Sequence, residues 1–412
     1  MLTELFPRAH ARYAALPVLG PHLDGLVRWL WRVGYPAPRI RERVKAARRL
    51  AAQLEHAGVG RPEDLSAARL LSYAPVPAAT DVYVAALVRS LVRYFDQEGL
   101  LLPAAPTPTN TLVARYRRYL EGVRGLSAHT VTTHASTVVQ FLAFVHHDRA
   151  PDGLGALDAS RIEGVVRETG ARLSRGSLQH TVAHLRSFLR FLATSGLVPP
   201  GLDAQIDTAR VYRQERIPRS LPWKTVRALL RSVDRSTPMG RRDYAMLLLI
   251  VTYGLRCSEV VRLTLDDVEW RGGRLHVARP KVATPLELPL TSDVGGALLD
   301  YLENGRPTSS HREIFLRVRA PAGTLKATAV TEVFQGWVRR SGLPIPFQGP
   351  HCLRHSLAVH LLRQGTTLKV IGDLLGHRSA ESTCVYLRLH VEDLREVALH
   401  LPGQPQRMEV EP

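Results

Sequence analysis

The chain has 412 residues, of which 45% are apolar and 22% are charged, and this composition supports sizeable folded cores and excludes global disorder. The longest apolar run, residues 245–251, is too short to span a membrane, and we find neither a secretion signal nor a paired cysteine pattern, so we expect the reducing cytoplasm. Lys and Arg total 55 against 37 Asp and Glu, a net charge of +18 that favours nucleic acid as the partner.

Residues 1–105 and 106–205 are predicted to form two helical bundles joined by a proline-rich segment. Segments 89–95 and 186–192 resemble each other, and each is followed by a Gly-Leu pair and a proline. Two interpretations stay open: a duplicated domain, or two amphipathic helices that end alike by default. Within 131–145, apolar residues recur at three- and four-residue steps, which is typical of one buried helix face.

Residues 206–221 are predicted to form a basic linker. Its arginines recur every three residues: Arg210, Arg213, Arg216 and Arg219. The run is interpreted either as solvated charge or as a strap across a nucleic-acid backbone, where each neutralised phosphate adds affinity by counterion release.

Residues 222–402 are predicted to form a mixed α/β domain, followed by a flexible tail over 403–412. Pro222 suits the first turn of a helix, and 243–253 reads as a buried helix. Segments 274–277 and 286–289 alternate in polarity, which predicts a β-hairpin. Further helices are expected at 292–303, 328–341, 351–364 and 367–375, and beyond residue 391.

Several polar residues of this domain occupy positions that structure alone does not require. Arg256 follows Gly254 at a junction between helices, although it could simply cap a helix or pair with Glu259. His351 and Arg354 share the first turn of a helix, where cations oppose the helix dipole unless an anion lies in front of them.

A second group of polar residues lies near the C-terminal end of the domain. His377 follows a helix that ends in glycine, and Tyr386 stands nine residues later. A tyrosine between two apolar residues is more often part of a core. A phenol near arginines and histidines can nevertheless attack a phosphodiester, with a histidine accepting its proton and a lysine protonating the leaving oxygen. We expect neither a metal nor another cofactor, since no acidic cluster or GxxxxGK[ST] fingerprint is present.

The ordered set of 254–259, 351–355, 375–377 and Tyr386 resembles the catalytic domain of the tyrosine recombinase (phage integrase, Xer-like) family. The resemblance implies a multidomain, mainly α fold, with two N-terminal helical, SAM-like bundles before an α+β catalytic domain that carries a small β-sheet. The second bundle, 106–205, would be the core-binding domain. The first bundle is a departure from the single one that most members have.

The resemblance also implies roles for five residues. Tyr386 would be the nucleophile that forms a 3′-phosphotyrosyl link. Arg256 and Arg354 would clamp the scissile phosphate. His351 would support proton transfer from the tyrosine, and His377 would hydrogen-bond a phosphate oxygen.

Three further residues receive roles by the same resemblance. Lys281, on the turn of the predicted hairpin, would be the general acid, although Val282 replaces the glycine that usually follows it. Glu259 would brace the site. His355 is interpreted as structural.

The implied activity is site-specific recombination of double-stranded DNA without metal or ATP, by a homotetramer on two DNA sites, with other recombinases or DNA-bending proteins as further partners. The apolar face of 391–401 would dock on a neighbouring protomer or pack on its own domain. Two alternatives stay open: a catalytically silent, sequence-specific DNA-binding protein, and a type IB-like topoisomerase.

Overall fold

The computed structural model describes residues 1–76, 81–103, 106–208, 219–279, 286–377, 379 and 381–389. The chain divides into two compact units. One comprises the described parts of 1–100 and 216–412, and the other comprises those of 101–215. Among the described residues, no helix combines the length and the apolarity that crossing a lipid bilayer requires.

The N-terminal part of the first unit is helical throughout. Its helices are α1 (Leu2–Leu5), α2 (His10–Ala14), α3 (Gly20–Arg32), α4 (Ala37–His56), α5 (Ala67–Ser72) and α6 (Val82–Gln97). Leu23, Leu26 and Leu30 recur at three- and four-residue steps in α3, and all three are fully buried. Asp81 begins α6, because its carboxylate accepts the backbone N–H groups of Tyr83 and Val84.

The second unit contains four longer helices: α7 (Pro108–Gly122), α8 (Ala128–Phe144), α9 (Ala159–Arg172) and α10 (Arg175–Thr194). Each begins after a residue whose side chain accepts a backbone N–H of the first turn, and these residues are Thr107, Ser127, Asp158 and Ser174. Val131, Val138, Phe141 and Leu142 are buried on one face of α8, which confirms the periodicity found in the sequence.

The rest of the first unit surrounds a central apolar helix, α12. Its helices are α11 (Trp223–Arg231), α12 (Pro238–Tyr253), α13 (Cys257–Val260), α14 (Ser292–Asn304), α15 (Ala327–Ser341), α16 (His351–Arg363), α17 (Leu368–Leu375) and α18 (Glu381–Cys384), and a 3₁₀ turn covers Val385–Leu389. Helix α12 is buried on all sides from Ala245 to Val251, and α14 and α16 pack against it.

A three-stranded antiparallel sheet flanks these helices, in the order β1 (Val268–Glu269), β2 (Arg274–Val277), β3 (Leu286–Pro289). Leu275 pairs with Val268 on one side and with Leu288 on the other. The predicted hairpin is therefore confirmed. The four helices expected between 292 and 375 are also confirmed, with ends that agree to within one residue.

Two left-handed glycines end the helices that hold the site. Gly254 closes α12 with φ 64°, and Gly376 closes α17 with φ 62°. A Cβ on Gly254 would collide with the side chain of Leu375, and one on Gly376 would collide with the guanidinium of Arg279. Glycine at both positions therefore allows the two helix ends and an arginine to approach closely.

Candidate active site

Arg354 links the ends of α12 and α17. Its side chain is 2% exposed, Nη1 donates to the carbonyl of Gly254, and Nη2 donates to the carbonyl of Leu375. Burial and the neighbouring Arg256 lower the pKa of Arg354 to about 10, so the guanidinium stays charged at neutral pH. Two hydrogen bonds fix the orientation of this charge within the fold.

Arg256 is held in place by Glu259. Nη1 donates to Glu259 Oε1 over 2.7 Å, and the backbone N–H of Arg256 donates to Oε2 over 2.8 Å. Nη2 reaches the carbonyl of Gly376 at 3.3 Å. The pairing that the sequence offered as a structural interpretation is therefore present, but the side chain of Arg256 remains 39% exposed and open to a ligand.

Arg279 is a third arginine of this cluster, and sequence reasoning missed it. It follows β2, and its side chain is 8% exposed. Nη2 donates to the carbonyl of Leu374 over 2.8 Å and Nη1 to that of Asp373 over 3.4 Å, while Nε lies 3.6 Å from Glu259 Oε1. Burial lowers the pKa of Arg279.

The three guanidiniums together satisfy the C-terminal end of α17. The last carbonyls of a helix have no partner within the helix and carry its negative dipole end. Here Arg279 binds the carbonyl of Leu374, Arg354 binds that of Leu375, and Arg256 binds that of Gly376. The cations and the residue that follows this helix, His377, are therefore positioned by the same backbone.

His377 lies directly beyond this helix end. Its backbone N–H donates to the carbonyl of Gly372 over 2.9 Å, and its Nδ1 is 2.8 Å from Thr383 Oγ1. Burial, followed by Arg354 and Arg256, lowers the pKa of His377 to about 4, so the ring is neutral at pH 7. The ring lies parallel to that of Tyr386, with 6.1 Å between centroids.

Tyr386 lies among these groups and is only 1% exposed. Its Oη is 2.9 Å from Nδ1 of His355, a contact that the structural interpretation of this histidine did not include. Burial raises the pKa of Tyr386, while Arg354 and Arg256 act to lower it. No sequence signal beyond its place beside Arg354 distinguished His355.

His351 packs against His355, the imidazole that contacts the phenol. The two imidazole rings meet edge to face, with centroids 4.5 Å apart, and His351 is solvent-exposed on its other side. Partial burial of the His351 ring lowers its pKa, and the charges of Arg354 and Arg256 lower it further.

The structure thus brings together six of the residues singled out by sequence: Arg256, Glu259, His351, Arg354, His377 and Tyr386. Lys281 lies outside the described residues, and so do Arg210, Arg213, Arg216 and the segment beyond 391. Arg219 is described and exposed. Within the described ranges, no group of three His, Cys, Asp or Glu is arranged to hold a metal ion.

A buried phenol surrounded by fixed cations and neutral imidazoles suits nucleophilic attack on an anionic ester.

The chain also matches two family models. The phage integrase family covers residues 219–393, and the phage integrase N-terminal SAM-like domain covers residues 113–196.

Curated relatives extend the similarity over most of the chain. The integrase/recombinase y4rA of Sinorhizobium fredii is 33% identical over 390 residues, which are 92% of this chain and 93% of that protein. Tyrosine recombinase XerD of Listeria innocua is 31% identical over 292 residues, which are 69% of this chain and 96% of that protein.

Solved structures share the fold. XerH recombinase bound to its palindromic difH substrate aligns with a TM-score of 0.53 at 16% identity, over 72% of this chain and 97% of that one. A lambda integrase dimer bound to a COC′ core site aligns with a TM-score of 0.52 at 16% identity, over 75% of this chain and 87% of that one. The chain belongs to the phage integrase family of tyrosine recombinases, enzymes that break and rejoin DNA strands.

Proposed function

We propose that this chain recombines double-stranded DNA at specific sites through a covalent link between Tyr386 and a 3′ phosphate. The observation that supports this most directly is the position of the phenol, which is buried where Arg354 and Arg256 act on its pKa. A core tyrosine needs no such cations. A nucleophile that attacks a phosphodiester needs them, because negative charge grows on the phosphate in the transition state.

In the proposed step, Tyr386 Oη forms a bond to phosphorus while the bond from phosphorus to the 5′ oxygen breaks. Arg256 and Arg354 bind the non-bridging oxygens with charge-assisted hydrogen bonds. The carbonyls of Gly254, Leu375 and Gly376 already hold both guanidiniums, so little reorganisation accompanies the reaction.

Three further groups complete the proposed chemistry. His351 supports the transfer of the proton that Tyr386 loses as its oxygen bonds to phosphorus. His377, neutral at pH 7, hydrogen-bonds a phosphate oxygen. Lys281 donates a proton to the departing 5′ oxygen. Glu259 acts through Arg256, which it holds by two hydrogen bonds. The reverse reaction, with a 5′ hydroxyl of a second strand as nucleophile, rejoins DNA and conserves the energy of the broken bond in the phosphotyrosyl link.

We further propose a domain organisation and an assembly. Residues 106–205 would be the core-binding domain, 206–221 the basic linker and 222–402 the catalytic domain, preceded by an additional bundle over 1–105. Lambda integrase is known as a tetramer on a Holliday junction, in a structure that aligns with a TM-score of 0.50. By analogy, this chain would work as a homotetramer on two DNA sites in the cytoplasm, with or without other recombinases or DNA-bending proteins.

The experiment is covalent trapping in cells that express the chain. Lysis in detergent, recovery of the protein and sequencing of the attached DNA would identify the target site. Absence of any adduct would favour a silent DNA-binding protein. Plasmids with one or two copies of the recovered site then separate the remaining activities: deletion or inversion that needs two sites supports a recombinase, whereas relaxation with one site indicates a topoisomerase.

A further inference from the structure

The phenol of Tyr386 has a specific hydrogen-bond partner, and it is the second histidine of α16. Nδ1 of His355 lies 2.9 Å from Tyr386 Oη, whereas the exposed His351 packs edge to face against the ring of His355. Because Tyr386 is 1% exposed, bulk water has little access to its hydroxyl. A proton that leaves the phenol in this geometry meets an imidazole nitrogen first.

We propose that His355 is a catalytic residue that takes the proton of Tyr386 directly, and that His351 exchanges this proton with solvent. The proposal rests on the proposed function and changes one assignment within it, because the resemblance gives this task to His351. It differs also from a structural role for His355, which would need the contact but no proton transfer.

The charges around His355 keep its ring ready to accept a proton. His351 and Arg354 face it from its own helix, His377 faces it from beyond α17, and Tyr386 faces it from the 3₁₀ turn. Burial, followed by His351, Arg354 and His377, lowers the pKa of His355 to about 4, so the imidazole is neutral before DNA binds.

Binding of DNA would then strengthen this base. A phosphodiester carries one negative charge, and between Arg256 and Arg354 that charge would offset the two guanidiniums. An opposite charge within about 4–6 Å favours the protonated form of a histidine and raises its pKa. The imidazole therefore becomes a better proton acceptor when the substrate is in place, which couples cleavage to correct binding.

The proposed transfer moves one proton from the phenol of Tyr386 to the imidazole of His355. The ring begins with its proton on Nε2 and an open lone pair on Nδ1. The O–H bond of Tyr386 breaks as its oxygen bonds to phosphorus, the proton moves to His355 Nδ1, and the 5′ oxygen leaves with a proton from the general acid. On rejoining, the imidazolium returns its proton to the phenolate.

The test is the rate of covalent adduct formation on a duplex carrying the trapped target site, nicked so that the cleaved end diffuses away. Rates would be measured in single turnover from pH 5 to pH 10 for the wild type, His355→Asn and His351→Asn. Asparagine places a polar atom near the position of Nδ1 but cannot carry the proton. His360→Asn is the matched control on the same helix, since His360 stacks on Trp223 with 4.1 Å between ring centroids, outside the cluster.

We expect His355→Asn to form the adduct about 100-fold more slowly at pH 7, within the range typical for loss of a general base. Its rate should rise about tenfold per pH unit as hydroxide ionises the phenol, so the defect shrinks at high pH. The wild-type rate should change little between pH 6 and pH 8, because the imidazole of His355 is already neutral there. His351→Asn should lose less, and His360→Asn should match the wild type.

Three results would overturn the proposal. The first is a His355→Asn defect that is small or equal at every pH, which means that the contact only positions the phenol. The second is a larger pH-dependent loss for His351→Asn. The third, which needs no variant to fold, is a wild-type rate that rises about tenfold per pH unit between pH 6 and pH 8, which means that hydroxide and not an imidazole takes the proton of the phenol. Failure of the proposed function is distinguishable, because the wild type itself would then form no adduct at any pH.

Discussion

Within the described ranges, each compact unit contains a buried tyrosine whose hydroxyl contacts a half-buried histidine. In the second unit, Tyr116 Oη lies 3.1 Å from Nδ1 of His134, and in the first unit, Tyr386 Oη lies 2.9 Å from Nδ1 of His355. Both phenols are at most 1% exposed, burial raises the pKa of both, and burial lowers the pKa of both histidines. The local contact is nearly the same in the two units.

The surroundings of the two pairs differ in their charge. Tyr116 donates to Ser187 over 2.9 Å among aromatic rings, and its pKa is raised to about 12. Around Tyr386 the strongest influences after burial are Arg354 and Arg256, which stabilise the phenolate. A buried tyrosine–histidine contact is therefore no sign of a nucleophile by itself. The fixed guanidiniums distinguish the reactive pair from the structural one.

The largest expected difference between the pairs is the response to loss of the hydroxyl. Tyr386→Phe should abolish the covalent adduct and leave DNA binding nearly intact, because phenylalanine has no oxygen with which to attack phosphorus. Tyr116→Phe should keep the adduct and lower the free energy of unfolding by about 1 kcal/mol, the net value of a buried hydrogen bond. Denaturing gels, gel shifts and thermal unfolding measure these outcomes. An adduct that persists in Tyr386→Phe shows that the nucleophile lies elsewhere.

Arg354→Lys should have the next largest effect. A lysine is a point charge that cannot bridge the carbonyls of Gly254 and Leu375 as the guanidinium does, so cleavage should slow by about 10²–10³-fold. Arg242→Lys is the matched control, because Arg242 is also buried and donates to Asp243 and to the carbonyl of Leu316. Both variants should unfold more easily. Equal cleavage rates for the two folded variants would contradict a catalytic role for Arg354.

Arg279→Met tests the framework behind the cations. Without its donors to Asp373 and Leu374, the end of α17 and His377 should be held less well, and we expect cleavage at saturating DNA to slow by about tenfold. Arg274→Met, at the start of the strand that precedes Arg279, is the control, since its exposed ion pair with Glu287 should matter little. If the two variants cleave at the same rate, Arg279 does not position the site.

Local signals explain why much of the fold could be predicted from sequence. Gly254 and Gly376 end helices in the left-handed conformation, alternation identified β2 and β3, and helical periodicity identified the buried face of α8. These features depend on neighbours within a few residues. The site residues Arg354, His377 and Tyr386 were identified in a similar way, from their order and spacing along the chain.

The contacts that the sequence did not disclose are all distant along the chain. Arg279 meets Leu374 across 95 residues, and His355 meets Tyr386 across 31. Arg279 lies two residues after a strand whose pattern predicts only alternation, and His355 is one of several histidines in α16. Which helix end receives a guanidinium, and which imidazole meets the phenol, depends on packing that no local pattern specifies.

The smallest expected effect concerns the histidines of the second unit. Burial, followed by His134 and His180, lowers the pKa of His184 to about 4, against about 6.5 in an unfolded chain. Between pH 4 and pH 6.5, His184 binds more protons in the unfolded chain than in the folded one. The stability that neutral His184 contributes is therefore complete above pH 6.5 and declines as the pH falls toward 4.

His184→Asn should therefore make the stability of the chain less sensitive to pH between 7 and 5, by up to about 1 kcal/mol per pH unit. Asparagine can keep the hydrogen bond to Thr137 Oγ1, which is 2.9 Å from Nδ1 of the histidine, so the change at neutral pH should be small. His129→Asn, at an exposed position of α8 in the same unit, is the control, because His129 does not act on the pKa of His184. Urea unfolding at pH 7, 6 and 5 measures the slope.

A second series with target DNA added separates this effect from titration at the active site. A bound phosphate should raise the pKa of His355 and His377 beside the guanidiniums and oppose acid unfolding of the first unit. If the stability of His184→Asn still falls with pH, and this fall disappears when DNA is added, the titrating groups are His355 and His377 and not His184.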